Sequence, residues 1–254
     1  MLSENIISDL QDTALRVREH IIGMSGSGGC FIGASLSCTD ILVYLYYEYL
    51  NISRENPDDP ERNYLFLSKG HNINIPGIEF YSGPPGYFLS TVIEFALNCK
   101  LRKQKNKIVV ITGDGELNEG SNCEACLVAS ANQLDNLVVV VDRNHLQANI
   151  ETERIIPLEP LFDKFETFGF AAGDVDGHSF SELDKMFSQL PFEKNKPSVI
   201  IADTHSNKNL PKADRWFCNF TNGEIESLLR ELHGTGTTEL ITETLIPAIP
   251  AYHL

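Results

Sequence analysis

The stretch that decides the fold is residues 107–119, Lys-Ile-Val-Val-Ile-Thr-Gly-Asp-Gly-Glu-Leu-Asn-Glu. The apolar and β-branched run from Ile108 to Thr112 predicts a strand buried on both faces, as in a parallel sheet. Gly113-Asp-Gly then ends the strand, and helical spacing begins at Glu119. Because open α/β sheets bind ligands beyond the carboxyl ends of their strands, this turn is a candidate binding site.

A second apolar strand at 137–141 ends in Asp142-Arg-Asn-His-Leu146. The two strand ends therefore present a carboxylate (Asp114) and an amide (Asn144). These residue types also serve as turn residues and helix caps. With a backbone carbonyl, however, they form a set of hard oxygen ligands that suits Mg²⁺ or Ca²⁺. Since Mg²⁺ completes its octahedron with phosphate oxygens and water, the pattern predicts a metal-bridged diphosphate.

Outward from these strands, helical and strand patterns alternate, which predicts an α/β fold with a mainly parallel central sheet flanked by helices. We expect one domain over residues 1–235 and a C-terminal tail over 236–254. Asn222 is expected to cap the last helix, and the Gly/Ser-rich stretch at 25–35 is expected to be a loop. The predicted helices cover about 5–22, 40–50, 87–103, 119–133, 161–168, 180–190 and 222–232.

The composition of the 254-residue chain is acidic, with 35 Asp and Glu against 20 Lys and Arg and a net charge of −15. This charge argues against nucleic acid and anionic membranes as partners, and it requires a local cation for any bound phosphate. Neither a transmembrane run nor a signal-peptide pattern is found, and the six scattered cysteines do not resemble a disulfide framework. A cytoplasmic location is expected.

The two strand ends resemble the thiamine diphosphate motif of transketolases. Gly113-Asp-Gly-Glu-Leu-Asn-Glu-Gly and Leu134-Asp-Asn-Leu-Val-Val-Val-Val-Asp-Arg-Asn carry this resemblance, which is closest to the N-terminal subunits of split transketolases. Ser35-Leu-Ser-Cys-Thr-Asp-Ile-Leu, Ser68-Lys-Gly-His and Asp176-Gly-His follow the family order as well. The resemblance covers most of residues 5–232 and implies the thiamine diphosphate-binding fold.

The resemblance also implies a cofactor site for thiamine diphosphate and Mg²⁺ or Ca²⁺. The metal would be bound by Asp114, Asn144 and the carbonyl of Leu146. The other implied cofactor-binding residues are Gly113 and Gly115, which allow close approach of the diphosphate, Glu116 beside them, and Gly83, Pro84 and Pro85 at the aminopyrimidine.

Two catalytic residues are implied by the same resemblance. His71 matches a family histidine near cofactor and substrate. Glu119 matches a glutamate at the subunit interface, linked by hydrogen bonds to the cofactor-activating glutamates. Each also has an ordinary alternative, since His71 could be a satisfied loop histidine and Glu119 a solvated residue favoured by the helix dipole.

The sequence departs from the family where the substrate would bind. Phe31 and Phe217 stand where the family has substrate-facing histidines, and the segment after His71 is shortened. Since phenylalanine neither donates nor accepts hydrogen bonds, we expect an apolar substrate rim and a wider channel. This predicts a less hydroxylated donor and a small-molecule or carrier-bound acceptor.

The implied activity is transfer of a two-carbon ketol or acyl unit from a ketone or 2-oxo acid donor to a carbonyl acceptor, in specialised metabolism. Past residue 235 the chain is much shorter than a pyrimidine-binding domain, which takes about 150 residues. We therefore expect an α₂β₂ heterotetramer with a C-terminal transketolase-like partner subunit. Two alternatives remain, namely a non-catalytic regulatory or scaffold homologue and the α subunit of a 2-oxo acid dehydrogenase.

Overall fold

A computed structural model describes residues 1–26, 30–52, 56, 59–69, 78–79, 86–205 and 217–234. The tail over 236–254 lies outside the described residues, as do four predicted site residues, His71, Gly83, Pro84 and Pro85. Among the helices of the described ranges, none combines the length and apolar character needed to cross a bilayer.

The centre of the described chain is a five-stranded, all-parallel sheet with the strand order β1-β2-β3-β7-β6. A short antiparallel pair, β4 with β5, follows the third strand. The strands are β1 (Tyr64–Ser68), β2 (Ile108–Gly113), β3 (Leu137–Arg143), β4 (Leu146–Gln147), β5 (Ile150–Glu151), β6 (Ala171–Asp176) and β7 (Ser198–Asp203). The predicted fold class is thus confirmed.

Helices cover both faces of this sheet. The third helix continues into a π-helical turn at Leu45–Tyr49, and a 3₁₀ turn at Gly115–Asn118 follows β2. The α-helices are α1 (Glu4–Met24), α2 (Ile32–Ser37), α3 (Thr39–Tyr44), α4 (Phe88–Leu101), α5 (Gly120–Ala131), α6 (Thr152–Ile155), α7 (Leu161–Thr167), α8 (Phe180–Phe187) and α9 (Asn222–Leu232).

The sheet divides the core into two layers because successive strand residues point to opposite faces. In β3, Leu137, Val139 and Val141 pack with α4, α5 and α7, whereas Val138 and Val140 pack with α1, α3 and α8. All seven residues of β3 are buried. A smaller apolar cluster joins the end of α1 to α2 and α9. The strand ends that carry the site are therefore held by packing on both sides.

Two local predictions need correction, and one segment had none. The stretch predicted as a loop at 25–35 enters helix α2 at Ile32, where Ile32 and Leu36 are drawn into the cluster with α9. No elements were predicted where β4, β5 and α6 lie, because elements of two to four residues are too short to show a hydrophobic period. Thr221, rather than Asn222, caps α9, since its side chain and that of Glu224 form a reciprocal capping box.

Candidate functional site

Strand register brings the two predicted strand ends together. In the pairing of β2 with β3, Gly113 lies opposite Asp142. The chain leaves β2 at Asp114 and leaves β3 at Asn144, so both residues stand at the carboxyl edge of the sheet. Their proximity is direct, because the amide of His145 donates to Asp114 Oδ2 at 2.8 Å.

Asp114 is buried, with 1% of its surface exposed, and its two oxygens differ in their hydrogen bonding. Oδ2 accepts from Arg143 Nη1 at 2.7 Å, from the His145 amide at 2.8 Å and from Thr152 Oγ1 at 3.3 Å. Oδ1 accepts from the Gly115 amide at 2.7 Å. Burial raises the pKa of the Asp114 carboxyl, and the Arg143 guanidinium opposes that rise. One oxygen is saturated, and the other retains capacity for a ligand.

Arg143 is the centre of a cluster of carboxylates. Besides Asp114, its guanidinium bonds Glu153 Oε1 at 2.7 Å and Glu159 Oε1 at 3.0 Å. Only 3% of Arg143 is exposed. The segment after the β4–β5 pair supplies Glu153 and Glu159, so this ion-pair cluster ties that segment to the end of β3. Three carboxylates surround the one guanidinium, so the cluster leaves no net positive charge beside Asp114.

A tight turn after β3 orients Asn144. His145 adopts the left-handed conformation, with φ of 64°, which is uncommon for a residue that has a side chain. The turn is closed by Asn144 Oδ1, which accepts from the Leu146 amide at 3.0 Å. This geometry turns the His145 amide towards Asp114 and leaves the Asn144 oxygen with a second lone pair.

The backbone around Gly115 leaves no room for a side chain. A Cβ there would lie 2.9 Å from Gln147 Cγ, so only glycine allows Gln147 to pack over this turn. The Gln147 Oε1 atom is buried and has no hydrogen-bond partner in the part of the chain that the structure describes. An unpaired buried acceptor is costly, and it indicates a missing donor at this edge.

Glu116 joins three elements at the edge of the sheet. Its Oε2 accepts from Ser68 Oγ at 2.8 Å and from the Gly86 amide at 3.4 Å, at the end of β1 and just before α4. Burial raises the pKa of the Glu116 carboxyl to about 7, although the hydrogen bonds from Ser68 and Gly86 and the charge of Lys69 oppose the rise. The hydrogen bonds of the Glu116 carboxylate are therefore made to residues of the same chain.

A second buried ion pair lies under the same edge. Lys69, which follows β1, bonds Asp142 Oδ2, and the same carboxylate accepts from Ser37 Oγ at 2.6 Å and Thr204 Oγ1 at 2.5 Å. Burial would lower the pKa of Lys69, yet the adjacent Asp142 holds it above the usual value. The pair fixes the ends of β1, β3 and β7 relative to one another.

Glu119 lies on the surface at the start of α5. Within the described ranges, its carboxylate makes no hydrogen bond or ion pair. Its stem packs on Gly86, where φ is +90° and a Cβ would come within 2.6 Å of Glu119 Cβ. The carboxylate is therefore exposed at the surface of the described chain.

The two predicted rim residues lie together. The rings of Phe31 and Phe217 meet edge to face with centroids 5.4 Å apart, and 47% and 48% of their surfaces are exposed. Next to them, Cys30 and Cys218 exchange backbone hydrogen bonds of 2.8 and 3.0 Å. Two positions 186 residues apart in sequence thus form one exposed aromatic pair.

Three residues of this region were not singled out by the sequence reasoning. Arg143 and Gln147 lie within or beside the quoted motif, and Lys69 lies in Ser68-Lys-Gly-His. Arg143 directly precedes the predicted ligand Asn144, but its burial against Asp114 is a property of the folded chain. Within the described residues no cluster of three His, Cys, Asp or Glu side chains could hold a metal. A cation here would need amide and carbonyl oxygens.

Comparison with known proteins identifies the family. Residues 72–214 match the family model for the transketolase thiamine diphosphate binding domain. The chain is also 31% identical to the 6-deoxy-6-sulfo-D-fructose transketolase subunit SqwG of a Clostridium species, over 92% of this chain and 97% of that protein. The chain belongs to the transketolase family. This confirms the resemblance that was seen at the two strand ends. It also confirms that the chain has a thiamine diphosphate-binding domain and that its enzyme class is transketolase.

A second relative agrees with this transketolase assignment, and a solved structure shares the fold. The chain is 27% identical to an apulose-4-phosphate transketolase subunit of Phocaeicola vulgatus, over 84% of each chain. Its fold is similar to that of the Campylobacter jejuni transketolase crystal structure, with a TM-score of 0.79 and 23% identity. That match covers 92% of this chain but 43% of the Campylobacter chain.

Proposed function

We propose that this chain is the cofactor-binding subunit of a two-component transketolase. It would hold thiamine diphosphate through a divalent cation bound by Asp114 Oδ1, Asn144 Oδ1 and the Leu146 carbonyl. The observation that carries the proposal is the asymmetry of Asp114. One of its oxygens is fully occupied by three donors, and the other accepts a single amide at the open strand edge.

The residues fit a cation and a diphosphate in their chemistry. Asp114 and Asn144 offer hard oxygens with remaining lone pairs, which Mg²⁺ prefers. Gly113 and Gly115 keep side chains away from the turn where a diphosphate would approach. Gln147 Oε1 lacks a donor among the described residues, and a hydrated cation carries such donors. The cation would supply the positive charge that this acidic chain lacks.

The chain's own residues would position the cofactor. Thiamine diphosphate, when bound, supplies an electron sink for cleavage of a carbon–carbon bond next to a carbonyl. Asp114 and Asn144 would fix the diphosphate end at the sheet edge, and His71 would face the cofactor and substrate. Glu119 would hydrogen-bond across the subunit interface to the acidic groups that activate the cofactor.

The proposal includes a partner subunit. Two relatives are named as subunits of transketolases, and this chain spans 84% and 97% of their lengths. The partner would carry a pyrimidine-binding domain, in an α₂β₂ heterotetramer. The exposed Glu119 carboxylate and the exposed Leu127 and Val128 on α5 would supply polar and apolar contacts for such an interface.

The substrates we propose follow from the Phe31–Phe217 pair. A sugar hydroxyl buried against phenylalanine loses its hydrogen-bond partner, at roughly 1–3 kcal/mol each. The reaction would transfer a two-carbon ketol or acyl unit from a donor that carries few hydroxyls near the cleaved bond to a carbonyl acceptor. The relatives' names specify apulose 4-phosphate and 6-deoxy-6-sulfo-D-fructose, so variation of the ketose is established among similar proteins.

Reconstitution tests the proposal. The chain is purified alone and together with a candidate partner chain that carries pyrimidine-binding and C-terminal transketolase domains. We expect carbon–carbon bond transfer only from the mixture with thiamine diphosphate and Mg²⁺, and a mass near α₂β₂ by light scattering. Turnover by the lone monomer would contradict the two-component assignment. An assembled but inactive mixture, across ketose and 2-oxo acid donors, would favour the non-catalytic homologue.

A further inference from the structure

We propose that Cys30 and Cys218 form a thiol–disulfide modification site, which reacts with a small-molecule disulfide such as oxidised glutathione and closes to a reversible cross-link. Cys30 precedes β1 and Cys218 follows β7, so the bond would join two distant parts of the chain. This inference goes beyond the proposed function and does not depend on it.

The backbone places the two cysteines directly opposite each other. They form an isolated antiparallel bridge in which each amide donates to the other residue's carbonyl, at 2.8 and 3.0 Å. Residues in such a hydrogen-bonded pair have Cα atoms about 5.5 Å apart and side chains on the same face. Because disulfides span Cα distances of about 4.4–6.8 Å, the two backbones already lie at a suitable separation.

The two thiols also share one environment. Both side chains pack in the apolar cluster that joins α1, α2 and α9. Burial raises the pKa of the Cys30 thiol, and the neighbouring Cys218 raises it further, so the two sulphurs interact electrostatically. The Cys30 thiol is therefore protonated at neutral pH, and the pair stays reduced until an oxidising disulfide accumulates.

The unequal exposure of the two cysteines sets the order of reaction. Cys30 is partly exposed, whereas only 4% of Cys218 is exposed. The Cys30 thiolate attacks oxidised glutathione, which forms a mixed disulfide and releases one glutathione thiolate. The Cys218 thiolate then attacks the Cys30 sulphur, which closes the protein disulfide and releases the second glutathione. The cysteine pair loses two electrons to glutathione disulfide, and the two cysteine protons end on the two glutathione thiols.

The same backbone geometry makes the cross-link easy to reduce. In a hydrogen-bonded pair the Cβ atoms lie up to about 5.5 Å apart, but a disulfide holds them at about 3.5–4.5 Å. Closing that gap strains the bridge, and strained disulfides are the labile ones. An excess of reduced glutathione should therefore reopen the bond, as for a regulatory disulfide rather than a permanent one.

The cross-link would act on the neighbouring aromatic pair. Phe31 directly follows Cys30, Phe217 directly precedes Cys218, and the two ring centroids are 5.4 Å apart. A covalent bond between the cysteines would tie the start of α2 to the segment before α9. Oxidation would therefore hold the exposed Phe31–Phe217 pair in contact.

The experiment measures thiols rather than activity. The full chain is incubated with oxidised glutathione under native conditions, the remaining thiols are blocked, and unreduced peptides are mapped by mass spectrometry. Cys30→Ser and Cys218→Ser each remove one partner. Cys123→Ser is the matched control, because Cys123 is exposed on α5 and has Cys126 three residues further along the same helix.

We expect a Cys30–Cys218 cross-linked peptide as the main product at these two positions, both in the wild type and in Cys123→Ser. Cys218→Ser should retain at least about tenfold more glutathione on Cys30 than the wild type, because the second thiol is missing. Cys30→Ser should leave the buried Cys218 thiol unmodified. An excess of reduced glutathione should restore all six thiols of the wild type.

Two results in the wild type would overturn the proposal. One is glutathione that stays bound to Cys30 without forming the cross-link. The other is survival of both thiols throughout the oxidation. If Cys218→Ser does not fold, the wild-type peptide map alone decides between these outcomes and the cross-link.

Discussion

The Arg143 guanidinium and the Asp114 carboxylate, 2.7 Å apart, form a buried ion pair between the ends of two adjacent parallel strands. The pairing follows from register, since Gly113 lies opposite Asp142 and the next residue on each strand is one partner of the pair. Breaking such a pair by removing one partner costs about 3–5 kcal/mol, because the other charge stays buried. The pair therefore holds together the two strand ends that would bind the cofactor.

Glu119→Gln should separate cofactor binding from catalysis. The Glu119 carboxylate is exposed and makes no hydrogen bond within the described residues, so its loss leaves the cofactor-binding edge intact. We expect thiamine diphosphate affinity within about threefold of the wild type, and kcat of the assembled enzyme lower by about 10²-fold or more, as for residues in a proton relay.

The matched control for Glu119 is Glu124→Gln on the same helix, which should leave both quantities unchanged. Calorimetry and steady-state kinetics on the assembled enzyme measure them. A kcat equal to that of the wild type in Glu119→Gln would show that Glu119 is a solvated residue of the first helical turn.

The Phe31–Phe217 pair should limit turnover of polyhydroxylated donors. We expect the wild-type assembly to use xylulose 5-phosphate and ribose 5-phosphate at least about thirtyfold less efficiently than a donor with fewer hydroxyls, since two unpaired hydroxyls cost roughly 1–3 kcal/mol each. Phe217→His and Phe31→His together should raise kcat/KM for xylulose 5-phosphate.

The control for this pair is Phe217→Leu, which keeps the rim apolar and should not raise that kcat/KM. Wild-type turnover of the two sugar phosphates at the rate of an ordinary transketolase would contradict the substrate role assigned to the two phenylalanines.

Glu116 should make the stability of the cation-free chain depend on pH. Burial raises the pKa of its carboxyl from 4.5 to about 7, so the folded state retains a proton that the unfolded state has lost between these values. Stability should therefore fall as pH rises from about 4.5 to about 7 and then level off. Glu116→Gln should remove this decrease, and its advantage over the wild type at pH 7.5 should be on the order of 3 kcal/mol.

Chemical denaturation at several pH values measures that difference, with EDTA present throughout. Glu124→Gln is the control, because its exposed carboxylate should leave the pH profile unchanged. A constant difference between Glu116→Gln and the wild type from pH 4.5 to 7.5 would show that the Glu116 carboxyl is ionised in the folded chain.

Much of the fold could be predicted because its signals are local. The run of valines in β3 is buried on both faces, and this pattern in sequence is that of a central parallel strand. Helix α2 was missed because its first residues lie in a stretch rich in glycine and serine. Its order comes from Ile32 and Leu36 packing against α9, some 190 residues further along the chain. Contacts of that range leave no trace in a local pattern.

The same distinction between local patterns and long-range contacts applies to the candidate site. Asp114 and Asn144 could be predicted because ligand-type residues stand at the ends of two apolar strands. The role of Arg143 could not, because it depends on the β2–β3 register and on Glu153 and Glu159 folding back over the edge. Phe31 and Phe217 could each be singled out from the sequence, because they stand where the family has histidines. Their contact with each other could not be predicted, because it arises only in the folded chain.

The affinity of the assembled protein for thiamine diphosphate, measured by calorimetry with Mg²⁺ and again with EDTA, tests the proposed cation site most directly. Without a cation, the diphosphate would face an acidic chain at a buried carboxylate. We predict that EDTA weakens binding at least about a hundredfold, and that Asp114→Ala weakens it similarly even with Mg²⁺ present. Equal affinity in the wild type and Asp114→Ala, with or without Mg²⁺, would contradict the cation site.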